Sequence, residues 1–332
     1  MEGLTSEIIA VSGMRSFIQK LLLKNASILQ AIIRGSSKMK ALIFLGLIFA
    51  YFYRKSSMRK ISKIYRKTDR NREILEHLKS CIATFKPSIF LPTALSQIIY
   101  GNMTDKSIMV KYETQALSLP DGEEIKLEWH PLEYASMPPT TPIVAFILGA
   151  CGSSNESYCK AVTRYVKNFG WRIVVVNRRG FANQRLKTRK FMYKNETEDI
   201  HHSLIAISEI FDQASIYLLG VSAGANNSAK YLGVFGANTP VTAYCSISNP
   251  FNFGRISYSM KFNFWGNFFS RFIATNFKKV AINHLSTPQF REFIETNYKN
   301  IDFVLEEIKT RDTCWKLDKF LNAKLCGNLI RY

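Results

Sequence analysis

The chain has 332 residues, 47% of them hydrophobic, and a formal net charge of +20; that is room for one large folded domain plus an appendage. The charge is uneven: residues 1–72 hold 15 Lys/Arg against 3 Asp/Glu, a net +12. The basic excess therefore belongs mainly to the N-terminal segment, which argues against a nucleic-acid footprint on the folded core.

In chain order, residues 1–40 are a basic leader. The stretch SFIQKLLLKNASILQAIIRG has helical periodicity with basic punctuation, which suits either a helix lying on a membrane or an unordered leader. MKALIFLGLIF, beginning at Met39, reads as a self-sufficient start, so an internal start there is an expectation. Residues 41–53, ALIFLGLIFAYFY, carry no charge. At 1.5 Å per residue the run spans roughly 20 Å, against a hydrocarbon core of roughly 30 Å. A buried or interfacial helix is one reading of it. Lys38 and Lys40 precede the run and RKSSMRKISKIYRK follows it; such side chains snorkel and extend a short span. No small-residue cleavage site follows. A single-pass signal-anchor (transmembrane) helix is therefore expected, in the endoplasmic reticulum or another internal membrane. Residues 54–84 form a basic juxtamembrane segment suited to anionic headgroups. Nine Lys/Arg in 54–72 against five in 20–40 lean toward a cytosolic C-terminal domain.

The core then alternates. EIKLEW (to residue 129) follows a PDG turn. IVAFIL (143–148) is a short apolar run, followed by a Gly/Ser loop and a helical stretch near 156–169. RIVVV (172–176), a helical segment at 197–211, IYLL (216–219), a helix from Ala223 and VTAYCSI (241–247) continue the pattern. Continuous apolar strands alternating with helices predict a mainly parallel sheet with helices on both faces. GVSAG, Gly220 to Gly224, falls between a strand and a helix. In that setting Ser222 is a candidate nucleophile, held in a strained turn that Gly220 and Gly224 allow the backbone to approach. A tight strand-to-helix turn in a non-hydrolytic protein is the other reading. The loop GACGSSNES after IVAFIL stands where an oxyanion loop would, and Ala223, the residue after Ser222, would supply a second backbone N–H.

The segments LPDGEEIKLEW (119–129), PIVAFILGACGSSNESY (142–158), GWRIVVVNRRG (170–180), NETEDI (195–200), GVSAGANNSAKYLG (220–233), SISNPFNF (246–253) and KLDKFLNAKLCG (316–327) occur in order. This set resembles the α/β-hydrolase superfamily, in the branch of membrane-anchored abhydrolase domain-containing proteins one and three. The resemblance runs from Phe85 to about Gly327. It implies an α/β-hydrolase domain over 85–332, a serine hydrolase of lipid carboxyl esters, an N-terminal anchor and no cofactor or metal. Residue-by-residue matching gives Ala150 as the first oxyanion N–H donor, although Leu148-Gly149 stands where the family usually has His-Gly or Pro-Gly.

A second departure concerns the triad, whose order in this fold is Ser, acid, His. Five histidines occur: His77, His130, His201, His202 and His284. Only His284 follows Ser222, and it precedes the segment after which the family's acid and histidine come. His284 is therefore expected on a helix surface rather than as the base. His201 and His202 precede the elbow, and Asp302, Asp312 and Asp318 have no histidine to orient. The expectation is a hydrolase domain incomplete at its C-terminus, with an exposed sheet edge. Residues 251–277 hold ten aromatics with several cations. A cap-like insertion over about 251–310 that admits acyl chains from a membrane is expected there; an apolar face packed on the sheet is the alternative. The six cysteines (Cys81, Cys151, Cys159, Cys245, Cys314 and Cys326) lack CxxC spacing and read as free thiols. Two functions remain in view: a membrane-anchored lipid esterase with membrane lipids as substrate and surface, and a non-catalytic binding or regulatory protein on the same scaffold. Nucleic acid is not an expected partner.

Overall fold

The computed structural model describes residues 36–321, apart from 59, 80–83, 89, 92, 105–108, 183, 189–196, 286 and 299. Most of the leader and the end of the segment running to Gly327 lie outside the described residues. The chain divides into two units, Met1–Asp105 and Lys106–Tyr332.

In the first unit, helix α1 (Ser37–Ser57) is capped by Ser36, whose Oγ accepts the Met39 N–H at 3.4 Å. Arg54 and Lys55 occupy its last turn, where cations suit the helix dipole. No α1 side chain is buried, and Leu42, Phe44, Leu47, Phe49 and Phe52 are all exposed. Among the described residues no helix is long and apolar enough to cross a membrane. The span expected at 41–53 is therefore not found: its apolar run ends at Tyr53, before Arg54. Helices α2 (Asp69–His77) and α3 (Ala94–Thr104) complete the unit. Thr68 caps α2 by accepting the Asn71 N–H.

The second unit is built on a six-stranded sheet of order β1-β2-β4-β3-β5-β6. Its strands are β1 (Glu113–Ser118), β2 (Glu124–His130), β3 (Ile143–Ile147), β4 (Arg172–Asn177), β5 (Ile216–Val221) and β6 (Val241–Ile247). β1 and β2 are antiparallel, as are β2 and β4, and the other pairs are parallel. Every residue of β3 and β4 is buried, because helices cover both faces of these central strands. Side-chain alternation splits them between two cores. Ile143, Ala145, Ile147, Val174 and Val176 face a cluster with Ile200, Leu204, Ile207 and Tyr231, from α5 (Glu198–Ile210) and α6 (Ala223–Phe235). Val144, Phe146, Ile173 and Val175 face Cys159 and Val166 of α4 (Ser157–Lys167).

The strands expected from continuous apolar runs all form. β1 was not among them: ETQALS is a mostly exposed strand that among the described residues pairs only with β2, and it has no continuous apolar run to read. At the other end, β6 pairs only with β5 among the described residues, and most of it is exposed.

After β6 come helices α7 (Phe253–Phe262), α8 (Phe264–Leu285), α9 (Pro288–Tyr298), α10 (Ile301–Thr310) and α11 (Cys314–Phe320). Ala281, Leu285, Phe290, Ile294, Val304, Ile308 and Leu317 form a core of their own with Leu186. The helical region thus extends past residue 310. Among the described residues, Cys151, Cys159, Cys245 and Cys314 form no disulfide.

Candidate active site

Ser222 links β5 to α6 with φ 54° and ψ −124°, a backbone conformation that non-glycine residues hold only when the surroundings enforce it. Two hydrogen bonds and two close backbone approaches enforce it here. The Ser222 N–H donates to the Ile247 carbonyl of β6 at 2.9 Å, and the Ser222 carbonyl accepts the Asn226 N–H of α6 at 3.1 Å. Gly220 lets the turn close, since a Cβ there would stand 2.6 Å from Ala225 Cα. Gly224 lets α6 reach β3, since a Cβ would be driven into the carbonyl oxygens of Ile147 and Leu148. Both glycines are required by close backbone approach rather than by their own φ. Ala223 is the first residue of α6, so its N–H belongs to the positive end of the helix.

The loop after β3 lies against the serine: a Cβ on Gly149 would be 3.2 Å from Ser222 Cβ and 3.8 Å from Ser222 Oγ. Gly149 is buried, and the next residue, Ala150, is exposed. The Gly149 carbonyl accepts the Gly152 N–H at 3.2 Å and Arg178 Nη2 at 2.9 Å. In a trans peptide the N–H points opposite to the carbonyl, so Arg178 also fixes the direction of the Ala150 N–H. Burial lowers the Arg178 pKa to about 10, against the opposing pull of Cys151, Tyr158 and Asp199. Burial likewise pushes the Cys151 thiol and the Tyr158 phenol up to about 12. Neither is a thiolate or phenolate at neutral pH. The sequence reading missed Arg178 as a support of this loop, although it stands in the NRRG directly after β4.

Three of the segments quoted for the resemblance (119–129, 170–180 and 195–200) meet at the next arginine. Arg179 donates from Nε to Asp199 Oδ2 at 2.7 Å and from Nη1 to Asp121 Oδ2 at 2.8 Å. The PDG turn, the NRRG turn and the start of α5 are thereby tied together. Glu123, also buried, accepts the backbone N–H groups of Lys187 and Thr188 and holds the chain that leaves this turn.

His284 differs from its expected place. It is 1% exposed rather than on a helix surface, and its Nε2 lies 2.8 Å from the Gly180 carbonyl. The ring sits where a Cβ on Gly180 would be, 2.6 Å from Nε2. Burial lowers its pKa, with Gly180 and Glu123 opposing. That nitrogen therefore ties α8 to the NRRG turn. His201 stacks on Phe235 at 4.0 Å, between α5 and α6. Asp312 is held down by Lys316, which donates to it at 2.8 Å. Asp302 opens α10.

A serine at positive φ between the strand and helix of a sheet in this order has the backbone geometry of a nucleophile elbow. A family model described as the alpha/beta hydrolase fold matches residues 142–304. Embryogenesis-associated protein EMB8 of Picea glauca is 28% identical over 189 residues, which is 55% of this chain and 41% of that protein. Phospholipase ABHD3 of Bos taurus is 26% identical over 215 residues, covering 63% of this chain and 52% of the relative. A monoacylglycerol lipase of Saccharomyces cerevisiae is 28% identical over 166 residues, covering 48% and 37%. The chain spans about half the length, or less, of these curated relatives. These matches support a member of the α/β-hydrolase superfamily, similar to its abhydrolase domain-containing branch.

Proposed function

We propose that the protein is a serine hydrolase of carboxylic esters, acting on acyl esters of glycerolipids or phospholipids through an acyl-enzyme on Ser222. One observation carries the reading: Ser222 sits at φ 54°, ψ −124° between β5 and α6, with the Gly149 loop against it. The names of the relatives, phospholipase and monoacylglycerol lipase, support the ester class. In this reading Ser222 Oγ attacks the acyl carbonyl, and the Ala150 and Ala223 N–H groups receive the developing oxyanion. The alcohol leaves, and water then releases the acid. No cofactor takes part.

Membrane lipids are both surface and substrate in this proposal. The exposed apolar face of α1 and its basic flank attach the chain to an internal membrane such as the endoplasmic reticulum.

The chemistry needs a general base within reach of Ser222 Oγ. His284, the histidine that follows Ser222, has its Nε2 on Gly180. That observation favours a second reading, a non-catalytic binding protein on the same scaffold. The test is phosphonylation of the natural membrane-bound protein by a fluorophosphonate, with loss of fluoride, together with turnover of short-chain p-nitrophenyl esters. Labelling and turnover that Ser222→Ala abolishes support the hydrolase. Absence of both in the natural protein supports the binding scaffold.

A further inference from the structure

Residues 213–291 contain no Asp or Glu and seven Lys/Arg. Within this acid-free stretch, α7 and α8 carry an unusual exposed surface. Phe251, Tyr258, Phe262, Phe264, Trp265, Phe268 and Phe272 are 77%, 66%, 63%, 77%, 53%, 49% and 55% exposed. On α8 the spacing is decisive. Residues 264, 265, 268 and 272 fall within roughly a third of a turn of one another at 3.6 residues per turn. The buried residues Ser270, Ala274, Ala281 and Leu285 fall on the other side. One face of α8 is packed, and the opposite face is aromatic.

The platform is well braced. Asn263 Oδ1 accepts the N–H groups of Trp265 and Gly266. A Cβ on Gly266 would collide with the Ser259 carbonyl, so α7 and α8 meet at van der Waals distance. Tyr258 and Phe262 pair along α7 at 4.8 Å. The Lys261 amine lies 5.0 Å from the Phe262 ring and 4.8 Å from the Trp315 ring. Arg255, Lys261 and Lys279 of the same two helices are exposed, while Arg271 also reaches Asp312 at 3.4 Å. The surface begins at the segment that braces the elbow. Asn226 of α6 donates to the Pro250 carbonyl at 3.2 Å, and Phe251 follows.

We infer that this aromatic and basic face of α7 and α8 docks on an anionic lipid surface, its rings at the depth of the headgroup–acyl boundary. Rings with interspersed cations match that boundary. The stretch that carries the rings has no acidic residue, and Asp312, which reaches it, is paired with Arg271 and Lys316; this matches an anionic leaflet and sets like charges against each other if two copies meet face to face. The docking is independent of hydrolysis and of α1, so its test reads ring depth rather than turnover or bulk attachment.

The full chain carrying Trp171→Phe and Trp315→Phe keeps Trp265 as its exposed indole, since Trp129 is fully buried. It is mixed with vesicles of phosphatidylcholine alone, or of phosphatidylcholine with phosphatidylserine, containing acyl-brominated lipid. On the mixed vesicles Trp265 emission is expected to shift to the blue and to be quenched. Adding Phe264→Ser, Phe268→Ser and Phe272→Ser is expected to weaken that quenching by roughly tenfold or more in lipid concentration, with the melting temperature unchanged. Trp265 left unquenched while the chain is vesicle-bound would overturn the inference. So would equal quenching on phosphatidylcholine alone. A dimer that the three serines convert to monomer, without lipid quenching, would assign the face to a second copy instead.

Discussion

The sheet and the helices that follow it bury their apolar residues in different ways. In β3 and β4 every side chain is buried, and both faces of the sheet are served by one short apolar run per strand. In α8 a narrow face (Ser270, Ala274, Ala281, His284 and Leu285) is packed and a broad face of rings is exposed, while α7 buries no side chain. The sheet places its apolar residues to hold a backbone geometry at Ser222. The helices place theirs to make a surface. The expectation for 251–277 left a packed apolar face and an aromatic cap open, and the exposure of seven rings decides for a surface.

The largest expected effect is on the sheet side. Arg179→Met leaves Asp199 buried and unpaired, and thermal or urea unfolding should show a loss of about 3–5 kcal/mol. The exposed serine substitutions on α8 should leave the same melts unchanged within about 0.5 kcal/mol. If the two sets destabilise equally, the contrast between the regions is broken. Gly224→Ala comes next. Its Cβ has only the backbone of Ile147 and Leu148 to meet, so a loss of about 3 kcal/mol is expected, together with loss of fluorophosphonate labelling. Ser222→Gly sharpens the comparison in the opposite direction. It removes the proposed nucleophile but relieves the positive φ, so stability should rise by about 1 kcal/mol.

The smallest effect joins the two regions through His284. Its pKa is lowered by burial, so the folded state keeps it neutral. Its stabilising contribution is present above the ordinary value of 6.5 and is lost as pH falls through that value toward the lower folded pKa. The melting temperature should therefore fall as pH drops below 6.5, and His284→Gln should flatten the dependence. Hydrogen exchange in α8 should report the change first; a wild-type profile as flat as that of the variant would remove His284 as the link.

The central strands, the helices between them and the GVSAG turn were legible because their signal is local: a run of apolar residues, a turn glycine, a helical period. Strand β1 was not, because an exposed strand with one neighbour lacks such a run. The roles of Arg178, Arg179 and His284 were illegible for another reason. Arg178 meets Gly149 from 29 residues away, Arg179 meets Asp121 from 58, and His284 meets Gly180 from 104. No local pattern reports separations of that size. The sequence by itself determined the order of elements and the serine at the elbow, since propensity and periodicity act within a few residues. Tertiary structure alone decided that Ser222 is held at positive φ, that His284 is buried on Gly180, and that the rings of α8 face outward. Each of these depends on which distant backbone arrives at the same point in space.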